Sequence, residues 1–319
     1  MMKAKILVTG CAGFIGSNLC DKLLEREYIV IGVDNFNDYY DPKIKEGNIS
    51  QAQKNPNFKL YREDILDFDK LDEIFKKEGI DVVVHLAARA GVRPSIKEPK
   101  LYAQVNVLGT VNLLKLSARY KVEKFIFGSS SSVYGNSKRL PFSEDDPCDQ
   151  IISPYGASKR AAEFFVEAFH NSYDLNCVIL RFFTVYGARG RPDMAPSIFA
   201  KAIMQGSEIN QFGDGSSSRD YTYIDDIVDG IISVLDKKLD FEIINLGNNS
   251  PVILKKFINT LEAISAKKTK IKSLPSQAGD VSQTWANISK AENTLKWKPK
   301  TSIEKGLSLY YTWLQQNLK

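Results

Sequence analysis

The chain has 319 residues, 43% hydrophobic and 25% charged, which suits a soluble globular protein with one nucleotide-binding core and a smaller second lobe. Its formal net charge of +5 is spread without a long basic run, which argues against a nucleic-acid partner, and no apolar run is long enough to span a membrane. Cys11, Cys20, Cys148 and Cys177 have neither metal-ligand spacing nor the density of a disulfide framework, and the N-terminus lacks a secretory-signal pattern, so a reducing cytoplasm and no metal are expected.

Lys3 to Thr9 reads as a buried strand running into Gly10-Cys11-Ala12-Gly13-Phe14-Ile15-Gly16, followed by a helix-forming stretch to Arg26. Gly10, Gly13 and Gly16 permit a tight turn, close approach of a pyrophosphate, and close helix-on-strand packing, while the helix start supplies N–H donors. A second strand, Tyr28 to Val33, ends at Asp34, near the usual offset of about 20 residues for a ribose-binding acid. Its carboxylate accepts from a ribose 2′-OH and repels a 2′-phosphate, which predicts NAD over NADP. Residues 35–57 are longer than a usual connection and are expected to form a small cap or an extra helix. After a third strand, Phe58 to Tyr61, Asp64 and Ile65 are placed at the adenine amino group and ring.

Further strands are expected at Asp81 to His85, Lys124 to Ser129, Asn176 to Phe182 and Glu242 to Asn245, with helices at Leu101 to Tyr120, Tyr155 to Tyr173 and Asp225 to Asp236. This alternation predicts an α/β fold, a Rossmann-type doubly wound parallel sheet. Regularity lapses after Phe182 through Asp220, where Arg, Gly, Pro and Asp predominate and substrate loops are expected. The expected division is a nucleotide-binding domain over 1–181, with 225–248 returning to it, and a smaller discontinuous substrate lobe mainly over 182–319.

The run Ser153-Pro154-Tyr155-Gly156-Ala157-Ser158-Lys159 carries the chemistry. Ser153 suits an N-cap and Pro154 the first helical position, placing Tyr155 in the first turn with Lys159 on the same face one turn later. A cation about 4 Å from the phenol oxygen contributes roughly 4 kcal/mol in an intermediate dielectric, about 3 pK units, enough to make a tyrosine a base near neutral pH.

Together with His85-Leu86-Ala87-Ala88, Asn106-Val107-Leu108-Gly109-Thr110 and Ser129-Ser130-Ser131-Ser132-Val133-Tyr134-Gly135, these motifs resemble the extended short-chain dehydrogenase/reductase family, in particular its nucleotide-sugar epimerases, over essentially the whole chain. The resemblance implies a catalytic Ser130-Tyr155-Lys159 triad. It also implies an NAD site drawn from Gly10, Gly13, Phe14, Ile15, Gly16, Asp34, Asn35, Asp64, Ile65, Leu86, Ala87, Ala88, Asn106, Ser129, Tyr155, Lys159 and Phe182. The implied reaction is C4′ epimerisation of a UDP-sugar through a 4-keto intermediate. Hexose 4,6-dehydratases carry an Asp-Glu pair after the triad hydroxyl and UDP-glucuronate decarboxylases a glutamate; here Ser131 and Ser132 stand there, which favours epimerisation.

Two runs, Asp34 to Asp41 and Phe182 to Ala195, look like those of UDP-glucuronate 4-epimerases. By that resemblance Thr184 and Arg191 face a sugar carboxylate, Arg219 the diphosphate, Asp280 the nucleotide ribose and Phe212 the uracil, with Ser131 and Arg93 further sugar-site candidates. The branch also implies a homodimer through the helices at 101–120 and 155–173. His85 is read as a packed core residue and His170 as a helix-face residue, neither catalytic. Epimerases of UDP-glucose or UDP-N-acetylglucosamine are the alternatives, and a non-catalytic NAD-binding protein a distant one.

Overall fold

The computed structural model describes residues 3–275 and 281–317. In chain order the first half forms β1 (Lys5–Thr9), α1 (Phe14–Glu25), β2 (Ile29–Val33), α2 (Pro42–Ile49), β3 (Phe58–Tyr61), α3 (Phe68–Glu78), β4 (Val82–His85), α4 (Val92–Lys97), α5 (Pro99–Ala103), α6 (Gly109–Arg119), β5 (Lys124–Ser130), α7 (Pro154–Tyr173) and β6 (Cys177–Phe182). The rest forms β7 (Thr184–Tyr186), α8 (Ala195–Gln205), β8 (Ile209–Phe212), β9 (Ser218–Tyr223), α9 (Ile224–Leu235), β10 (Phe241–Leu246), β11 (Pro251–Ile253), α10 (Leu254–Ser265), β12 (Ile271–Leu274), α11 (Ser289–Leu295) and α12 (Ile303–Asn317). Two compact units result: Met1–Ser137, Pro147–Arg181 and Ile231–Ile244 form one, and Lys138–Asp146, Phe182–Gly230 and Asn245–Lys319 the other.

The first unit is built on a seven-stranded sheet of order β10-β6-β5-β4-β1-β2-β3. β1 pairs in parallel with β2 and β4, β2 with β3, and β4 with β5. Apolar runs such as Val82-Val83-Val84 are buried throughout, as expected for strands covered on both faces. The order reverses between β1 and β4, and such a reversal opens a crevice at the carboxyl ends of the strands. This is the Rossmann-type arrangement the alternation predicts.

Local chemistry sets the helix ends. Asp67 caps α3 by accepting from the Lys70 amide at 3.1 Å, and Gly79 ends it in the left-handed region at φ 63°. The long connection after β2 contains α2, started by Pro42 and by Asp41, whose carboxylate accepts from the Lys43 amide at 2.9 Å.

The helix expected over 101–120 is not continuous: α5 and α6 are separated by a π-helical turn, Gln104–Leu108. Periodicity misses this turn because apolar residues run on through it from one helix to the next, and the partners of its Asn106, which are Arg89 and Ser158, lie far away in sequence.

In the second unit, β9 pairs with β11 antiparallel and β7 parallel, and β12 pairs with β8 in parallel. The stretch expected as loops from Phe182 to Asp220 therefore holds β7, α8, β8 and the start of β9. Its Gly, Arg and Pro content hides short elements whose core is aromatic: Tyr221 lies 4.6 Å from Phe257 and 6.2 Å from Tyr186 between ring centroids. Among the described residues, no helix is long and apolar enough to cross a membrane.

Candidate active site

The glycine loop sits at the reversal point. Gly10 has φ +70°, its amide donates to the Val33 carbonyl at 2.8 Å, and a Cβ there would lie 2.8 Å from the Ala87 nitrogen. A Cβ on Gly16 would run into the Gly10 carbonyl. A Cβ on Gly13 would meet only the Gly10 oxygen, at 3.2 Å, so its remaining surroundings are open to a close-lying group. Gly13 is also the N-cap of α1 and offers no side chain to the first-turn amides, which are thus left for an anion. These features fit the pyrophosphate of a dinucleotide.

Thr9 fixes the opposite wall. Its hydroxyl accepts from the Leu86 and Ala87 amides, each at 3.2 Å, and contacts His85 Nδ1 at 2.7 Å. His85 Nε2 contacts the Thr110 hydroxyl at 3.0 Å. Burial, with the Lys159 charge second, pushes the imidazole well below its usual range, so His85 is a neutral, packed structural residue, as its apolar strand predicts.

Asp34 is brought back onto the loop. It accepts from the Ala12 amide at 3.1 Å and the Phe36 amide at 2.8 Å, and the Lys45 ammonium lies 3.7 Å away. Both side chains are about 6% exposed. Burial lowers the Lys45 pKa, and the Asp34 carboxylate opposes that shift. Lys45 is missed by sequence reasoning. Its only signal is that an acid closing a buried strand calls for a counter-charge. Asn35, next in the chain after Asp34, donates to Asp64 at 2.7 Å, tying the end of β2 to the turn after β3. Ile65 is buried, facing Gly109, where a Cβ would lie 2.5 Å from its Cδ1.

The residues expected to form the triad lie at the end of β5 and in the first turns of α7, the helix packed against it. Ser153 caps α7, its hydroxyl accepting from the Gly156 amide at 3.0 Å, so Tyr155 stands in the first turn. The Tyr155 ring meets the Tyr102 ring edge-on, with centroids 6.2 Å apart. Lys159 is buried; its ammonium donates to the Gly128 carbonyl at 2.7 Å and lies 4.6 Å from the Phe127 ring centroid. Burial pushes it down to about 7, and Glu163 opposes that shift. Ser130, two residues beyond Gly128, ends β5, and its hydroxyl accepts from the Ser132 amide at 3.2 Å to cap a 3-10 turn, Ser131–Tyr134. A buried lysine one turn from a phenol on α7, with a serine at the end of the strand that α7 packs against, supplies the groups that base chemistry on an alcohol needs.

Two residues expected at the cofactor turn their side chains into the protein. Asn106 accepts from the Arg89 amide at 2.7 Å and donates to the Arg89 carbonyl and the Ser158 hydroxyl, each at 2.9 Å, which occupies both ends of its amide. The Ser129 hydroxyl donates to Glu163 at 2.6 Å, because alternation along β5 sends it to the face opposite Ser130.

The other candidates lie on separate elements of the two units. Phe182 ends β6 at 8% exposure, and Arg93 is exposed on α4. In the second unit, Thr184 opens β7 and Phe212 closes β8, both partly buried. Arg219, on β9, donates to the Ser218 carbonyl at 2.9 Å. Arg191 forms a forked pair with Asp193, at 3.0 and 2.6 Å. The expectation that it faces a sugar carboxylate thus meets a guanidinium already engaged by a neighbour two residues away. Asp280 lies outside the described residues.

A dinucleotide crevice at the switch point, with a Tyr-Lys pair on the helix that packs against the end of β5, defines the extended short-chain dehydrogenase/reductase class. The chain belongs to the GDP-mannose 4,6 dehydratase family, whose model matches residues 7–309. It is 44% identical over 314 residues to a UDP-glucuronate 4-epimerase of Thermodesulfobacterium geofontis, covering 98% of this chain and 97% of that one. Its structure superimposes with a TM-score of 0.93 and 41% identity on the UDP-glucuronic acid 4-epimerase of Bacillus cereus solved with UDP-glucuronic acid and NAD, covering 98% and 99% of the two chains. The UDP-glucose 4-epimerase of Thermotoga maritima, solved with UDP-glucose, matches with a TM-score of 0.91 and 35% identity over 99% and 100%.

Proposed function

We propose that this protein is an NAD-dependent UDP-sugar 4-epimerase that interconverts UDP-glucuronate and UDP-galacturonate. The observation that carries the reading is the Ser130-Tyr155-Lys159 constellation in a chain that matches UDP-glucuronate 4-epimerases over nearly its whole length. Although the family model bears a dehydratase's name, the residues after Ser130 are Ser131 and Ser132, hydroxyls where water elimination needs a carboxyl acid and base.

In this reading the glycine loop and the first turn of α1 hold the pyrophosphate, and Asp34, kept in place by Lys45 and the Ala12 amide, accepts from the adenosine ribose. Bound NAD supplies reversible hydride acceptance at C4′, which permits a transient 4-keto sugar and no net redox change. Tyr155 takes the proton of the O4′ hydroxyl and later returns it. Lys159 holds positive charge beside the phenolate, and Ser130 hydrogen-bonds the same sugar oxygen. Thr184 offers a hydroxyl to the C6′ carboxylate, Arg219 serves the diphosphate, and the second unit supplies most sugar-nucleotide contacts.

The protein is further read as a cytoplasmic homodimer. Four free, buried cysteines suit a reducing compartment, and Leu108, Phe164 and Phe165 expose large apolar side chains on the π turn and α7.

The test is NMR of UDP-glucuronate, UDP-glucose and UDP-N-acetylglucosamine incubated separately with the purified protein, followed by analysis of released dinucleotide. UDP-galacturonate as the one product, with NAD recovered, is expected. Conversion of a neutral sugar alone would keep the mechanism and overturn the carboxylate reading; no conversion of any would overturn the epimerase.

A further inference from the structure

Glu163 lies one helical turn beyond Lys159 on α7 and is 1% exposed. Its carboxylate gathers four donors from three elements. The Ser129 hydroxyl reaches Oε1 at 2.6 Å from β5, and Arg181 on β6 forks onto it through Nε at 3.0 Å and Nη2 at 2.8 Å. Arg160, on the same helix, donates to Oε2 at 2.9 Å. Arg181 is fully buried, and its remaining arm donates to the Tyr134 hydroxyl at 3.1 Å. Ser129 and Tyr134 stand on either side of the segment 130–133, so the carboxylate anchors that segment at one end directly and at the other through Arg181.

None of these groups reaches the sugar or the dinucleotide in the mechanism above. What they share is placement: Ser130 sits on the anchored segment, and Tyr155 and Lys159 sit on the helix that carries the anchor. A charge-assisted, forked pair sheltered from water has little freedom to slide, unlike the apolar contacts around it.

We propose that Glu163 is a positioning residue, whose carboxylate fixes the Ser130 segment against α7 and thereby sets the serine-to-tyrosine spacing the epimerisation requires. The inference rests on the triad reading above. Reacting groups displaced by about 1 Å lose on the order of 100-fold in rate, with ground-state binding little changed.

Ser129→Ala and Glu163→Gln separate this role from plain stability. Ser129→Ala removes one bond and leaves the ion pair, so it keeps the test available where Glu163→Gln does not fold. For folded variants at a temperature well below unfolding, kcat for UDP-glucuronate is expected to fall about 10- to 100-fold, with KM within about twofold of the unmodified protein and NAD content retained. A kcat within twofold in Ser129→Ala and in any folded Glu163→Gln would overturn the proposal. If the unmodified protein turns over no UDP-sugar, the epimerase reading fails instead. Crystal structures of the same variants then decide the positioning role: a Ser130 displaced relative to Tyr155 supports it, and an unmoved pair overturns it.

Discussion

Replacing Lys159 by methionine removes one buried ammonium while keeping a side chain of similar length. Neighbours at i and i+4 lie about 5–6 Å apart, and a unit charge at that distance in an effective dielectric of about 20 contributes roughly 3 kcal/mol to the phenolate, about 2 pK units. Burial brings Lys159 down to about 7, so this support is present at and below pH 7 and fades above it: turnover in the variant should fall most at pH 6–7, by up to about 100-fold, and the gap to the unmodified protein should narrow as pH rises. The assay is NMR conversion of UDP-glucuronate from pH 6 to 10. A second readout follows from burial, which pushes Lys159 from its ordinary 10.5 down to about 7. Between those two values the unfolded chain holds a proton that the folded protein has released, so stability rises with pH across the window, by about 5 kcal/mol at most. The methionine variant has no such proton to release. Urea unfolding at pH 7 and pH 10 should show the rise in the unmodified protein alone, with the variant at least as stable at pH 7. Equal turnover of the two proteins at pH 6–7, or a stability difference independent of pH, would refute the reasoning.

Tyr155→Phe should keep its dinucleotide and lose about 100- to 10,000-fold in turnover, measured by the same conversion assay; full activity would remove Tyr155 from the mechanism. Gly10→Ala places a Cβ 2.8 Å from the Ala87 nitrogen at φ +70°. It should cost about 1–3 kcal/mol in urea unfolding and deplete bound NAD, whereas a protein that purifies with its full complement would show that the crevice wall yields. Thr184→Val, nearly isosteric, should raise KM for UDP-glucuronate about tenfold and leave that for UDP-glucose unchanged; equal effects on both would detach Thr184 from the carboxylate.

The sheet of the first unit was legible because its strands are short apolar runs bounded by turn residues. Phe58–Tyr61 matches residue for residue, and the other expected strands differ from the observed ones only at their ends. The start of α7 was equally legible, since Ser153 and Pro154 act locally. What sequence could not display was set by contacts between distant segments. Glu163 reads as one more polar helix residue until Arg181, on another element, is seen against it. Arg181 did leave a signal, a charged residue inside an otherwise buried strand, which must find a partner. The short strands β7, β8 and β9 were hidden because their aromatic packing has no fixed period.

The π turn at Gln104–Leu108 gives the segment from Pro99 to Arg119 an unusual grammar. An inserted residue advances everything after it by about 100° around the axis, so the stretch is two helices spoken in different phase, joined without a loop. Asn106 can look towards Arg89 and Ser158 while Leu113 and Leu116 still look into the core. Deleting one residue there would heal the helix and set those two views against each other. Such a segment tolerates substitution far better than a change in length, and variation among homologous chains should respect its count before its letters.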